Sequence, residues 1–173
     1  MMVSMRKIIL FIASSMDGYI AKNNGSVDWL PVNCLSGYDD FYKSIDTVIM
    51  GKKTYDQVLT FGAYPYKDKK SYVLTHNDTP NNDENVQLVN NVEKLTKTLF
   101  TGTGSNVWLV GGAEIIATFM NLGLIDETIL SIIPVVLGSG ISLFTNIQKE
   151  TKFQLIKTTE YDELVELHYK VLK

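Results

Sequence analysis

The sequence is poor in the residues that hold small proteins together by covalent or metal chemistry. A single cysteine, Cys34, excludes an internal disulfide framework. Two histidines, His76 and His168, stand too far apart in sequence for a closed structural zinc site, and no metal is expected. Charge of one sign is missing as well: 16 Lys and Arg against 19 Asp and Glu leave a formal −3, which argues against a nucleic-acid partner. No apolar run approaches the ~20 residues that span a bilayer. Residues 8–13 are apolar and follow Arg6-Lys7, but the run is too short for a signal peptide. The next residues, Ser14-Ser15-Met16-Asp17-Gly18, read as a strand entering a turn. A soluble cytoplasmic protein with no membrane partner is the expectation. Disordered composition is absent too, since 45% hydrophobic and 20% charged residues over 173 positions suit one globular domain with a real core.

Residues 7–14 form a continuous apolar run, the pattern of a strand buried on both faces. Asp17-Gly18 and Asn23-Asn24-Gly25 are turns. Tyr38, Phe41, Tyr42 and Ile45 recur at i, i+3, i+4 and i+7, one stripe of a short amphipathic helix. A second buried strand, 47–50, is stopped by Gly51, and Thr54 with Gln57 is a capping-box signature for the helix after it. Further strands are expected at 71–75, 86–89 and 107–110. Asn90 with Glu93 can cap the helix carrying Leu95, Leu99 and Phe100. Gly111-Gly112 lead into an apolar helix closed by Gly123. The run 128–137 is rich in β-formers, and its Pro134 points to an edge or a bulge. Segments 153–158 and 165–171 make a closing hairpin, with Glu166, His168 and Lys170 alternating onto a wet face. Strands alternating with helices give an α/β domain whose sheet is mostly parallel, with an antiparallel hairpin at its end.

In open α/β sheets, ligands sit at the carboxyl ends of the strands. Three ends carry suggestive residues. Gly51-Lys52-Lys53-Thr54 offers close backbone approach, positive charge and the free N–H groups of a helix start, although a strand-to-helix turn with solvated lysines has the same look. Gly111-Gly112-Ala113-Glu114 repeats the arrangement without a full GxGxxG, and tight helix–sheet packing would need the same glycines. Leu74-Thr75-His76 ends a strand with neutral or basic groups, which suit an adenosine 2′-phosphate or an ordinary polar loop.

The order and spacing of Ser15-Met16-Asp17-Gly18-Tyr19-Ile20-Ala21, Val48-Ile49-Met50-Gly51-Lys52-Lys53-Thr54-Tyr55 and Val110-Gly111-Gly112-Ala113 resemble the dihydrofolate reductase superfamily. The nearest likeness is to the reductase domain of riboflavin-biosynthesis deaminase-reductases and its stand-alone relatives. Pro134-Val135-Val136-Leu137-Gly138-Ser139-Gly140, with Leu143-Phe144 after it, is similar to a late segment of that branch. The resemblance implies one dihydrofolate reductase-like domain over 1–173, with three layers and residues 1–5 as a disordered extension. It also implies NADPH lying across the strand ends. Ala13 and Ile20 match positions against the nicotinamide. Gly51, Lys52 and Thr54 match the segment that holds the 2′-phosphate and pyrophosphate. Lys52 stands in place of the usual arginine, which keeps the charge and loses the bidentate fork. Leu74 and Thr75 match the adenosine side, and Gly111, Gly112, Ala113, Glu114 and Ile115 the second pyrophosphate clamp.

The catalytic candidates are Asp17, in the Ser-x-Asp-Gly turn that the branch shares, and Asp39. True dihydrofolate reductases place a buried carboxylate on the helix after the first loop. Here Asp39 and Asp40 fall on the polar side of the apolar stripe, where they also suit the helix dipole. Asp17 has an equally plain reading as a turn residue bonding its own backbone. Trp29 matches an aromatic near the loop over the nicotinamide and is the candidate substrate contact; lid packing is its other reading. Val110 stands where the branch carries a glutamate, which puts the riboflavin-pathway substrate in doubt. Cys34 and His168 are read as structural. The resemblance implies an NADPH-dependent reductase of a small, heterocyclic or aminopyrimidine-type molecule, like 5-amino-6-(5-phosphoribosylamino)uracil reductase. Its alternatives are a pterin-reducing enzyme and an NADPH-binding protein without turnover; a flavin carrier is more remote. The segment 22–37 would close over the site, and a homodimer through a strand edge near Pro134 is a further expectation by analogy.

Overall fold

The computed structural model describes residues 5–32, 37–77 and 82–173. Of the expected N-terminal extension only Met5 falls among them, and Cys34 lies outside them. In chain order the elements are β1 (Ile8–Ser15), β2 (Tyr19–Ala21), α1 (Tyr38–Lys43), β3 (Ile45–Gly51), α2 (Lys52–Thr60), β4 (Lys70–Leu74) and β5 (Val86–Val89). There follow α3 (Val92–Thr101), β6 (Asn106–Gly111), α4 (Ala113–Asn121), β7 (Glu127–Ile133), β8 (Ile141–Ser142), β9 (Lys152–Tyr161) and β10 (Leu164–Leu172). Eight strands form one sheet in the order β5-β4-β3-β6-β1-β7-β10-β9, while β2 and β8 pair separately. The first six run parallel, and β10 is antiparallel to both β7 and β9.

The continuous apolar runs of β1, β3 and β6 are explained by their place at the centre of the sheet, covered on both faces. One face buries Ile8, Leu10, Ile49 and Leu109 under Leu95 and Leu99 of α3 and Ile116 and Phe119 of α4. The opposite face buries Ile9, Val48, Met50 and Trp108 under Phe41 of α1 and Tyr55 of α2, with Tyr64 and Tyr66. This second core is aromatic: Phe11 stacks on Phe41 at 4.3 Å, and the Trp108 ring meets Phe11, Phe41, Tyr38 and Tyr66 edge-on. At the amino end of the strands, His168 Nε2 and Lys7 Nζ stand 2.7 and 2.6 Å from the carboxylate of Glu127, so His168 is part of a structural network. Burial opposes the charge on Glu127, but Lys7 and His168 outweigh it and hold that carboxyl below its usual value.

Several local expectations are corrected. Helix α2 begins at Lys52, directly out of β3, with Gly51 as a cap that makes no side-chain hydrogen bond. Thr54 is therefore already inside the first turn, and Gln57 Nε2 donates instead to the Gly25 carbonyl at 2.7 Å. The cap of α3 is Asn91, whose side chain accepts from the Lys94 N–H, one residue later than the Asn90–Glu93 pairing predicts. Ile45 belongs to β3 rather than to α1. Pro134 marks no edge: β7 ends at Ile133 and lies between β1 and β10, and the free edges of the large sheet are β5 and β9. The proline, which has no N–H to give to a ladder, stands directly after the last residue of the strand. Glu166 and His168 do not lie on a wet face, because α1 and the aromatic cluster cover much of that side.

Candidate functional site

The strand order makes three loops converge. Register pairs Gly51 with Leu74 across β3 and β4, and Met50 with Gly111 across β3 and β6. The carboxyl ends of three neighbouring strands therefore bring Leu74, Gly51 and Gly111 side by side. Helices α2 and α4 start there together, and neither has a side-chain cap. Their first N–H groups thus remain available to an anion.

Two glycines make this approach possible. A Cβ on Gly112 would stand 3.3 Å from Thr54 Oγ1, and one on Gly51 would stand 2.9 Å from Ile115 Cγ1. Gly111 has φ +126°, a conformation open to glycine, and the Gly111–Gly112 peptide is cis. Ala113 is buried beneath this corner, and Glu114 is exposed on it. The lysines do not stand alone. Lys52 Nζ pairs with Asp56 and lies 5.5 Å from the Tyr55 ring centre, while Lys53 Nζ lies 3.6 Å from Glu114 Oε1. A phosphate here would compete with carboxylates on the same two helices. Thr75 continues from β4, giving its N–H to the Val89 carbonyl at 3.0 Å. Beside it a groove of about 420 Å³ is lined by Thr75, Asn77, Asn91, Lys94 and Thr98.

On the other side of β6 stands β1. Register places Ala13 opposite Ser131 of β7, and Ser131 opposite Glu166 of β10. The next row on the same face is Phe11, Ile129 and His168, the row that α1 covers. Ala13 thus faces the aromatic side, and Val110 is half-buried against the same cluster. Ile20 in β2 packs instead against the core of the α3–α4 face. Trp29 is half-buried, with its indole Nε1 buried and unbonded.

The two carboxylates singled out by sequence occupy other environments. Asp17 Oδ1 accepts from Ser15 Oγ at 2.6 Å and from the Leu137 N–H at 3.1 Å, and Oδ2 accepts from the Gly138 N–H at 2.8 Å. The bond from Ser15, with those from Gly138 and Leu137, holds this carboxyl below its usual pKa. Asp17 is thereby a bracket tying the 135–140 loop to the end of β1. Asp39 is exposed in the first turn of α1, turned from the aromatic core as its place beside the apolar stripe predicts.

Glu166 does face the aromatic side, at the same end of the sheet as Ala13. Its Oε2 is buried and makes no hydrogen bond. Burial raises its pKa, although His168 and Lys157 act in the opposite sense. Sequence reading placed Glu166 on a wet face because alternation reports which residues share a face, not what covers it. The signal that finds it is the register of β10 on β7, which aligns it with Ala13 and Ser131.

Among the described residues no group of three or more His, Cys, Asp or Glu could hold a metal ion, and no helix is long and apolar enough to cross a membrane. Likeness to known proteins follows the same lines as the geometry. Dihydrofolate reductase from Enterococcus faecalis, complexed with NADP(H), superposes with a TM-score of 0.75 at 18% identity, covering 96% of this chain and 97% of that one. At such identity the likeness is one of fold, which is dihydrofolate reductase-like. A crystal structure from Shewanella sp. PV-4, of a protein provisionally named for riboflavin biosynthesis, has a TM-score of 0.86 and 30% identity over 96% of this chain and 99% of that one. The uncharacterized protein YwjB of Bacillus subtilis is 45% identical over 169 residues, 95% of this chain and 97% of its own length. Residues 6–167 match the model of the RibD C-terminal domain, and with nearly the whole chain inside that match, the protein belongs to the RibD C-terminal domain family.

Proposed function

We propose that this protein is an NADPH-dependent reductase that delivers a hydride to a small nitrogen heterocycle. The observation that carries the reading is the cradle at the ends of β3 and β6, where a Cβ on Gly51 would press on Ile115, one on Gly112 would crowd Thr54, and two uncapped helix starts lie together. Such a corner fits a diphosphate: its oxygens accept from the N–H groups, and the backbone can approach them closely. Lys52 and Lys53 stand at the same corner for a further phosphate. When bound, NADPH supplies the hydride; the residues of this chain bind it, orient it beside Ala13 and keep water from the aromatic face. Trp29 offers an unbonded indole N–H, which supports its place as a donor to substrate.

The family supports an aminopyrimidine ribosyl phosphate as substrate, while the apolar Val110 on the site-facing strand weighs against that particular one. A pterin reading is disfavoured by the exposure of Asp39, since folate reduction needs a shielded carboxylate on that helix. A homodimer belongs to this proposal, with the free edge β9 and its exposed Leu155 and Ile156 as the pairing strand. Sedimentation velocity tests it.

The test of function is direct. NADPH is titrated against tryptophan fluorescence and melting temperature, and its oxidation is then followed with pterins, aminopyrimidine ribosyl phosphates and quinones. Binding with oxidation by one of them is the expected result. Tight binding with no oxidation would favour a binding protein without turnover, and no binding would end the cofactor reading.

A further inference from the structure

Among the described residues, the aromatic face holds an acidic side chain, Glu166, with a buried oxygen that makes no hydrogen bond. Glu166 lies in the row Ala13–Ser131–Glu166, so it stands two strands away from the residue matched to the nicotinamide, on the same face. Its Oε2 is shut off from solvent and takes no hydrogen bond from the protein. An unsatisfied buried carboxyl oxygen costs free energy, and in a folded protein it calls for an explanation, of which a bound partner is one. The start of α1 packs beside Glu166. Gly37 carries no side chain where a Cβ would lie 2.7 Å from Tyr161 Oη and 3.8 Å from Glu166 Oε2. Asp17 is used up by the 135–140 loop, and Asp39 is exposed, so neither competes for this role.

We propose that Glu166 is the group that grips the substrate and gives it a proton: its carboxyl pairs with an amidine-type N–C–N edge of a nitrogen heterocycle seated on the aromatic face. This rests on the reductase reading above and names its missing acid. Electron and proton balance is simple. The substrate carbon of a C=N bond gains a hydride from the dihydronicotinamide, and the π pair moves to the nitrogen. That nitrogen takes the proton from the Glu166 carboxyl, which is reprotonated from solvent; the substrate is reduced by two electrons and the nicotinamide is oxidised. Burial favours the protonated form of Glu166, and the cations that oppose it, His168 on β10 and Lys157 on β9, leave the net shift upward. Tyr161 on β9 faces Glu166, and Asp40 of α1 faces Tyr161, adding no positive charge. Ser131 is the neighbour on β7.

The experiment uses the full chain and the probe 2,4-diaminopyrimidine. Calorimetry measures its binding to NADPH-saturated protein between pH 5 and pH 9, for the wild type, Glu166→Gln and Glu163→Gln, the last an exposed carboxylate in the β9–β10 turn. Glu166→Gln is expected to lose about tenfold or more in probe affinity, the scale of a charge-assisted pair, with NADPH affinity unchanged. Glu163→Gln is expected to match the wild type. In protein labelled with ¹³C at glutamate carboxyls, the resonance lost in Glu166→Gln should titrate above 4.5, the ordinary glutamate value, and should move when the probe binds. Equal affinity in Glu166→Gln, a wild type that binds NADPH but not the probe, or a resonance untouched by the probe would each overturn the proposal. If the probe binds through Glu166 while NADPH does not bind, the acid site stands and the reductase reading falls. If neither binds, both fall.

Discussion

Gly51 and Ile115 meet where α2 and α4 start, and a Cβ on the glycine would press on Ile115 Cγ1 at 2.9 Å and Cδ1 at 3.6 Å. The contact sets how closely the two helix starts approach one another. Gly51→Ala must push α4 away or twist Ile115, an overpacking cost of about 1–3 kcal/mol. The expected outcome is a lower melting temperature together with weaker NADPH binding. Adding Ile115→Ala removes the clashing atoms and should restore part of the spacing, and so part of the affinity, even though it opens a small cavity of its own. A double variant that binds NADPH no better than Gly51→Ala would show that the spacing is not what the glycine protects.

Lys52 is paired with Asp56, one helical turn away, and a phosphate at this corner would compete for it. Lys52→Ala should therefore weaken NADPH more than NADH, by about tenfold where a charged hydrogen bond to the 2′-phosphate is lost. Asp56→Asn should do the reverse and tighten NADPH, because the lysine no longer chooses between two anions. Both effects shrink as salt rises, since this pair is largely exposed. Fluorescence titrations with both nucleotides at low and high salt read all four expectations. Equal losses for NADPH and NADH in Lys52→Ala would remove Lys52 from the phosphate site.

The residues of the cradle were legible because glycines after buried strands are a local signal, and the strand-end rule says where they gather. The bounds of β5 agree with the sequence reading, and β1, β3, β4 and β6 differ from it by one or two residues at their ends. Capping was legible less well: Thr54 and Gln57 satisfy the capping-box pattern, yet β3 passes directly into α2 and uses them elsewhere. Two short strands, β2 and β8, leave no sequence signal, because a pair of so few residues has no periodicity to read. The burial of Glu166 is illegible in the sequence for a deeper reason. Its burial depends on α1 crossing from a distant part of the chain, and alternation within β10 carries no information about that.

Gly37 has φ +81° and sits against Tyr161 Oη. Gly37→Ala incurs about 1–2 kcal/mol from the left-handed backbone alone, and the Cβ meets a hydroxyl fixed to a rigid ring. Tyr161→Phe in the same chain removes the hydroxyl and should recover only the steric part. Urea unfolding of the two variants separates the contributions. If the double variant regains wild-type stability, the backbone of Gly37 carries no strain that alanine would feel.

Asp17 ties the loop after β7 to the end of β1 through the N–H groups of Leu137 and Gly138. Its folded-state pKa lies below the ordinary 3.8, first through the bond from Ser15 and then through those backbone donors. A carboxylate whose pKa falls on folding stabilises the fold above its unfolded pKa and loses that contribution as pH drops through the folded value. The loop bracket should therefore hold at neutral pH and open only below about pH 4, the ordinary aspartate range. Asp17→Asn keeps one acceptor oxygen and turns an amide toward the second donor, so one of the two loop N–H groups loses its partner. Hydrogen exchange at Leu137 and Gly138, corrected for intrinsic rates, should be faster in Asp17→Asn than in the wild type at pH 7. On the proposal above, probe binding should change little, since the Asp17 carboxylate is engaged by the 135–140 loop. Unchanged exchange at both amides would mean that the loop is held by Met16 and Val135 backbone pairing alone, whose N–H···O distance is 2.8 Å.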